Sequence, residues 1–167
     1  VFDPDKPLNS ALLLAPDSDS NGLLRASDLY NLVLSADLVT LSALALTEFA
    51  DIVRTARAVD GKLRVVLSDG SYLDFWWSRS LPGRFAHHWE RTHVDGTVYR
   101  HDNAPHTKWA SLATFPQHFH CQTDSNVKES RLSAEPEPAV REVLTFARTL
   151  LDAVRVGGDG PGTAWSR

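Results

Sequence analysis

Three turn dipeptides, Asp69-Gly70, Pro82-Gly83 and Asp95-Gly96, constrain the fold of this chain more than any other feature. Each sits between runs rich in β-branched and aromatic residues. LRVVLS and SYLDFWWS flank the first, and RFAHHWERTHV and TVYRHDNAP flank the last. Asp-Gly favours the positive-φ turns that suit the twist of a hairpin, and Pro-Gly marks a sharp reversal. The pattern predicts a four-stranded antiparallel meander, with QHFHCQT as a short fifth strand. Before it, Phe49, Ile52, Val53 and Ala56 fall on one helical stripe within 48–59, which Asp60-Gly61 ends. After it, Pro138 suits the first turn of a helix with Val140, Val143, Leu144, Ala147, Leu150, Leu151 and Val154 on its apolar stripe. The expected class is α+β: a helix, a four- to five-stranded meander and a closing helix.

The first 43 residues read differently. SALLLA at 10–15 is an apolar run stopped by Pro16, PDSDSNG is a loop, Leu24 to Leu34 suits a helix, and LVTLSAL at 38–44 is a second apolar run. Strand, helix and strand with so long a crossover imply a parallel βαβ-like segment. Charge separates the same region. Residues 1–43 hold six acids against Lys6 and Arg25, carrying the whole net −4, while the rest has 15 acids and 15 bases. The expected organisation is an extension over 1–43, a domain over 44–156 and a flexible glycine-rich tail over 157–167. The chain has no Met, so Val1 is not expected to be an encoded start. No apolar run approaches 18 residues, so no membrane span is expected. The single Cys121 suits a reducing, cytoplasmic setting.

Histidine is concentrated. All seven lie between His87 and His120, a window of 34 residues. Alternate residues of a strand share a face, so His87, Trp89, Arg91 and His93 point one way and His88, Glu90 and Thr92 the other. Two registers are open for the second hairpin. A two-residue turn opposes Arg91 to Arg100, a like-charge pair. A three-residue turn opposes Glu90 to Arg100 and His88 to Asp102. His118 and His120 share a face if QHFHC is extended, and the Pro-bounded loop supplies Asp102, Asn103 and His106 nearby.

Two resemblances emerge from these residues. NSALLLAPDSDSNGLLRASDLYNLVLSADLVTLSA resembles the latter part of a CHAT domain, the caspase-like peptidase family. The family's cysteine follows the Leu-Ser-Ala triplet, where this chain has Leu44, and the family's histidine would precede Val1. Peptidase activity is therefore not expected. HHWERTHVDGTVYRHDNAPH with TFPQHFH is similar to the TumE family of toxins from toxin–antitoxin pairs, over about 41–155. His88-Trp89, Arg100, Asp102-Asn103-Ala104-Pro105-His106, Thr114-Phe115-Pro116, His118 and His120 carry that likeness in order. Thr107 stands where the family has a second histidine, and His101 where it has an aromatic or aliphatic residue. The resemblance implies a growth-inhibiting toxin that acts on RNA and has a cognate antitoxin as partner.

Cofactor-free RNA cleavage needs a base for the 2′-OH, an acid for the leaving oxygen and a cation for the phosphate. Histidine serves the proton roles near neutral pH, and the planar fork of arginine binds two phosphate oxygens. The expected pair is His88 with His120 or His118, with Arg100 on the phosphate, Asp102 orienting a histidine and His106 beside them. Trp89, Asn103, Trp109 and Phe115 are the candidates for holding a base. Two further readings stay open. Asp102, His106, His118 and His120, or His88, could bind zinc or manganese instead. Alternatively, the histidines are scaffold in a non-enzymatic interaction module. His87, His93 and His101 are assigned no role, and Cys121 reads as a small buried thiol.

Overall fold

The computed structural model describes residues 26–156, with side chains from Asp37 onward. Helix α1 (Ala26–Glu48) leads into strands β1 (Val53–Val59), β2 (Lys62–Leu67), β3 (Tyr72–Trp77) and β4 (Phe85–Arg91). A short helix α2 (Thr92–Asp95) precedes β5 (Thr97–Asp102), followed by β6 (His118–Gln122), β7 (Val127–Glu129) and helix α3 (Pro136–Arg155). The strands form one antiparallel sheet in chain order, β1 through β7. The α+β class and the meander therefore hold, with two strands, β1 and β7, beyond the five expected.

Three local expectations change. Residues 38–44 continue helix α1 and form no strand, so the described residues contain no parallel βαβ pairing; 10–15 and 157–167 lie outside them. The physical reason is spacing. Leu38, Leu41 and Ala45 recur at helical intervals and are buried at 3%, 2% and 0% exposure. No Gly or Pro interrupts the segment. Helix α1 also runs unbroken across the expected junction at 43–44.

Residues 53–59 form strand β1, although a helix was expected there. Asp60 and Gly61 have φ of 49° and 75°, the two positive values that a two-residue hairpin turn requires, and Val59 lies opposite Lys62. Asp60-Gly61 is thus a hairpin turn like the others. Phe49 and Ile52 are still buried, at the turn that connects α1 to the sheet. Helix α3 matches its predicted stripe except at Val154, which is 58% exposed.

Both long helices cover one face of the sheet. Helix α1 packs on β1 and β2. Phe146 of α3 meets Trp89, Tyr99 and Phe119 edge-on, with ring centroids 6.0, 5.3 and 6.1 Å away. Strand alternation sends Leu73, Phe75, Phe85, His87, Trp89, Tyr99, His101 and Phe119 to this covered face, which forms one continuous core. Asp74, Trp76, His88, Glu90 and Arg100 emerge on the other face, half-buried.

Candidate functional site

The connection between β4 and β5 decides which side chains meet on the open face. Thr92–Asp95 winds into one helical turn, closed by Gly96 at φ 79°. The Glu90 carboxylate accepts hydrogen bonds from the Thr92 backbone and hydroxyl, and Asp95 accepts from Thr97 and Arg91. This longer connection gives neither of the registers expected from the sequence. His88 lies opposite Arg100, and Ala86 opposite Asp102. Arg91 avoids Arg100 altogether. It turns to the covered face, forks between Asp69 and Asp95 at 2.7 Å each, and lies 4.7 Å from the Trp89 ring.

The next pairings complete a row. Arg100 is opposite His120, and Asp102 opposite His118, across β5 and β6. His88, Arg100 and His120 are consequently direct neighbours on three successive strands. His118 and His120 are buried, although they face away from the main core. The segment between β5 and β6 lies against them. The Trp109 ring sits 6.2 and 6.1 Å from the rings of His118 and His120.

Backbone carbonyls set the proton positions on the two buried histidines. His120 Nδ1 donates to the Asp124 carbonyl at 2.8 Å, and His118 Nδ1 donates to the Pro116 carbonyl at 2.9 Å. Each imidazole then presents Nε2 to the site. Arg100 Nη2 donates to His120 Nε2 at 2.9 Å, and its Nε donates to Asp102 Oδ2 at 3.2 Å. His118 Nε2 lies 3.3 Å from Asp102 Oδ1, at an angle that forms no hydrogen bond, and it is otherwise unpartnered. Burial, and then the adjacent Arg100 charge, push the His120 imidazole below its ordinary pKa. It is neutral at pH 7, with a lone pair on Nε2.

His88 is more accessible, with a side chain 35% exposed, and its Nε2 donates to Glu90 at 3.2 Å. Burial works to raise the Glu90 carboxyl, but hydrogen bonds from Thr92 and His88 outweigh it and hold the group below the usual range. Glu90 is therefore an ionised acceptor, which holds a hydrogen on the His88 nitrogen facing it.

Of the residues expected at the site, His88, Arg100, Asp102, His118 and His120 are brought together. His106 is exposed at the start of a short 3-10 turn, its ring 6.2 Å from that of His118, and it joins none of the cluster's hydrogen bonds. Trp89 cannot stack on a base. It is 1% exposed in the core, and its indole N–H donates to Ser71 Oγ at 2.9 Å. Asn103 spends its amide on the backbone, accepting from Phe85 N and donating to the Gly83 carbonyl. Phe115 is exposed, and Trp109 is half-buried with Lys108 4.5 Å from its ring. His87 and His101 are core residues, and exposed His93 reaches the Gly70 carbonyl.

Asp102, His118 and His120 each offer one ligand atom within 4.8 Å of the others, a set that could hold a metal ion. Two site residues lie outside those expected from the sequence: Glu90, which orients His88, and Asp124, whose carbonyl fixes His120 and whose carboxylate lies 3.4 Å from Arg100. Glu90 could have been found, since it shares a face with His88 two residues away. Asp124 sits in the β6–β7 turn, and nothing in its spacing relates it to His120.

Comparison with known proteins bears out both resemblances. The CHAT domain family matches residues 1–64, which extends past position 43 through α1 and β1 into β2. No curated protein and no solved structure matches the chain. The family described as Toxin TumE matches residues 34–151, a span that holds the sheet, the histidine cluster and most of α3. The chain therefore belongs to the TumE family, the toxin component of a toxin–antitoxin pair.

Proposed function

We propose that this toxin cleaves RNA at the His88–Arg100–His120 row by transesterification. The observation that carries the reading is the row itself, an imidazole on each side of a guanidinium on adjacent strands. Neighbouring strands are about 4.8 Å apart, so the two histidines stand roughly 10 Å apart with Arg100 between them. A phosphodiester on Arg100 then has one imidazole on the side of each of its ester oxygens.

Phosphate binding by Arg100 withdraws the N–H that Nη2 gives to His120. The freed Nε2 lone pair accepts the proton of the ribose 2′-OH. The O2′–P bond forms and the P–O5′ bond breaks. The imidazolium form of His88 gives its Nδ1 proton to the departing 5′ oxygen, while Nε2 keeps the hydrogen bonded to Glu90, leaving a 2′,3′-cyclic phosphate and a 5′-OH. Glu90 holds the Nε2 side of His88, which leaves Nδ1 for the substrate. His118 has 0% exposure, so its part is positional, and Asp102 steadies Arg100. Trp109, beside His120, is the stacking surface for the nucleotide that carries the 2′-OH.

A second reading has one specific observation in its favour. His118 Nε2 is buried without a hydrogen bond and faces Asp102, in a set able to ligate zinc or manganese. Arg100 weighs against it. The guanidinium contacts two of the three ligand groups, so a dication would have to displace a cation already hydrogen-bonded there.

Cleavage of an RNA oligonucleotide by wild type, His88→Ala and His120→Ala tests the proposal. Loss of turnover in both variants, with wild-type activity unaffected by EDTA, is expected. Equal cleavage by wild type and His88→Ala would remove His88 from the mechanism.

A further inference from the structure

The row of site residues continues across the sheet beyond His88. His88 is opposite Asp74, Asp74 opposite Arg64, and Arg64 opposite Arg57 on the edge strand β1. The helices cover only the other face, so this side of β1–β4 is open. Its charge is uneven. The open-face positions of β1–β4 carry Arg57, Lys62 and Arg64 against the acids Asp74 and Glu90. Arg64 bonds Asp74 through two nitrogens at 2.7 and 2.6 Å, and Lys62 lies 3.6 Å from the same carboxylate. Arg57 is exposed and has no ion-pair partner among the described residues. The strip therefore keeps one cation beyond those that Asp74 and Glu90 offset, and the excess lies toward Arg57, away from the site. An aromatic surface accompanies it, with Tyr72 4.4 Å under the Arg64 guanidinium. Cations interleaved with aromatic rings on a flat sheet suit a single strand, whose bases are free to stack while its phosphates follow the charge.

From these features, and resting on the cleavage reading above, we infer that the open face of β1–β4 is a track for single-stranded RNA on the 3′ side of the scissile phosphate. The direction follows from the order of groups along the row. His120 removes the 2′-OH proton, so the nucleotide 5′ of the cut lies on the β6 side, beside Trp109. His88 protonates the departing 5′ oxygen, so the released strand starts at β4 and leads over Tyr72 and Arg64 to Arg57. Three strand steps separate Arg100 from Arg64 and four separate it from Arg57, about 14 and 19 Å at ordinary strand spacing. That length takes several nucleotides. The β6 side is closed differently, by the segment that carries Trp109, so extension on the 5′ side has no comparable strip.

The test uses the full chain and three RNA substrates: a dinucleotide, the same cut site extended by six nucleotides on the 3′ side, and the same extension on the 5′ side. Arg57→Ser/Lys62→Ser removes one exposed and one half-buried cation and leaves the site residues intact. The double variant is expected to raise KM for the 3′-extended substrate and to lower its salt-dependence slope by about 1.4, while dinucleotide turnover stays unchanged. Tyr72→Ala is expected to raise the same KM about tenfold. Equal effects on the 5′-extended substrate, or no effect on either, would overturn the track. Anisotropy with a non-cleavable 2′-deoxy oligonucleotide separates the two claims. Binding that depends on Arg57 and Lys62 supports the track even if no RNA is cut, and binding indifferent to them overturns it even if RNA is cut.

Discussion

His87 and His101 make the fold sensitive to acid within a defined window. They are directly opposite on β4 and β5, on the covered face. His87 lies among Phe75, Trp77 and Phe85, with ring centroids 5.2, 4.8 and 4.9 Å away. His101 stacks on Phe119 at 4.0 Å and bonds Ser130 at 2.8 Å. Burial pushes both imidazoles down to about 3, and in His101 the neighbouring histidines add to the effect. An unfolded histidine takes up its proton near 6.5. Between these values the unfolded chain binds protons that the folded one does not. Stability is therefore complete above pH 6.5 and falls as pH drops toward 3. Each group removes about 1.4 kcal/mol per pH unit, so the pair removes about 3. A domain with about 5–15 kcal/mol of stability loses a large part of it by pH 4.5. The lowered carboxylates Asp51, Glu90 and Asp95 act in a separate window, losing their contribution only below about pH 4. Urea unfolding followed by tryptophan fluorescence from pH 4.5 to 8 measures the slope. His101→Gln, which keeps a hydrogen-bonding side chain, is expected to lower it by about 1.4 kcal/mol per pH unit, and His87→Leu/His101→Gln by about 3, leaving the part that the lowered His120 contributes. A wild-type curve flat over the window, or an undiminished slope in the double variant, would refute the reasoning.

Other outcomes follow from the same geometry. Arg100→Ala removes the charge that meets the phosphate and is expected to lower cleavage about 10²–10³-fold with little change in stability, read by single-turnover kinetics and urea unfolding. Leu41→Ala leaves a cavity where α1 meets the sheet and is expected to cost about 2–5 kcal/mol. A chain starting at residue 44 is expected to be destabilised at least as much, because it loses both Leu38 and Leu41. Trp89→Ala is expected to cost about 3–5 kcal/mol through lost packing. Its effect on activity should disappear once the folded fraction is accounted for, whereas a base-stacking residue would raise KM in fully folded protein. Titration with zinc or manganese, followed by calorimetry, is expected to show no stoichiometric binding. A one-to-one isotherm that Asp102→Asn abolishes would favour the metal-bound reading.

The parts of the fold that were legible in the sequence were those marked by turn chemistry and period. The Gly-bearing turns at 69–70, 82–83 and 95–96 bound β2 to β5, and the stripe from Val140 to Leu151 is the buried face of α3. The misread elements had ambiguous spacing. Leu38, Leu41 and Leu44 suit a short strand by composition and a helix by interval, and their packing on β1 and β2 selects the helix. Asp60-Gly61 was ambiguous because Asp-Gly can end a helix or turn a hairpin. At the site, residue types were legible and partners were not. His88, Arg100, Asp102, His118 and His120 stood out by chemistry, while the helical turn at 92–95 set the register that makes them neighbours. Trp89 fails as a stacking residue for a simple reason. It follows His88 by one position, and alternation sends it to the opposite face.

The central claim is that one row of side chains turns a ribose 2′-OH into the nucleophile. The most direct measurement is product analysis on paired oligonucleotides that differ only by a single 2′-deoxy substitution 5′ of the cut. Cleavage of the all-ribose strand to a 2′,3′-cyclic phosphate and a 5′-OH is expected, with no cleavage at the deoxy position and no turnover by His120→Ala on either strand. Cleavage at the deoxy position, or a 5′-phosphate product, would contradict it.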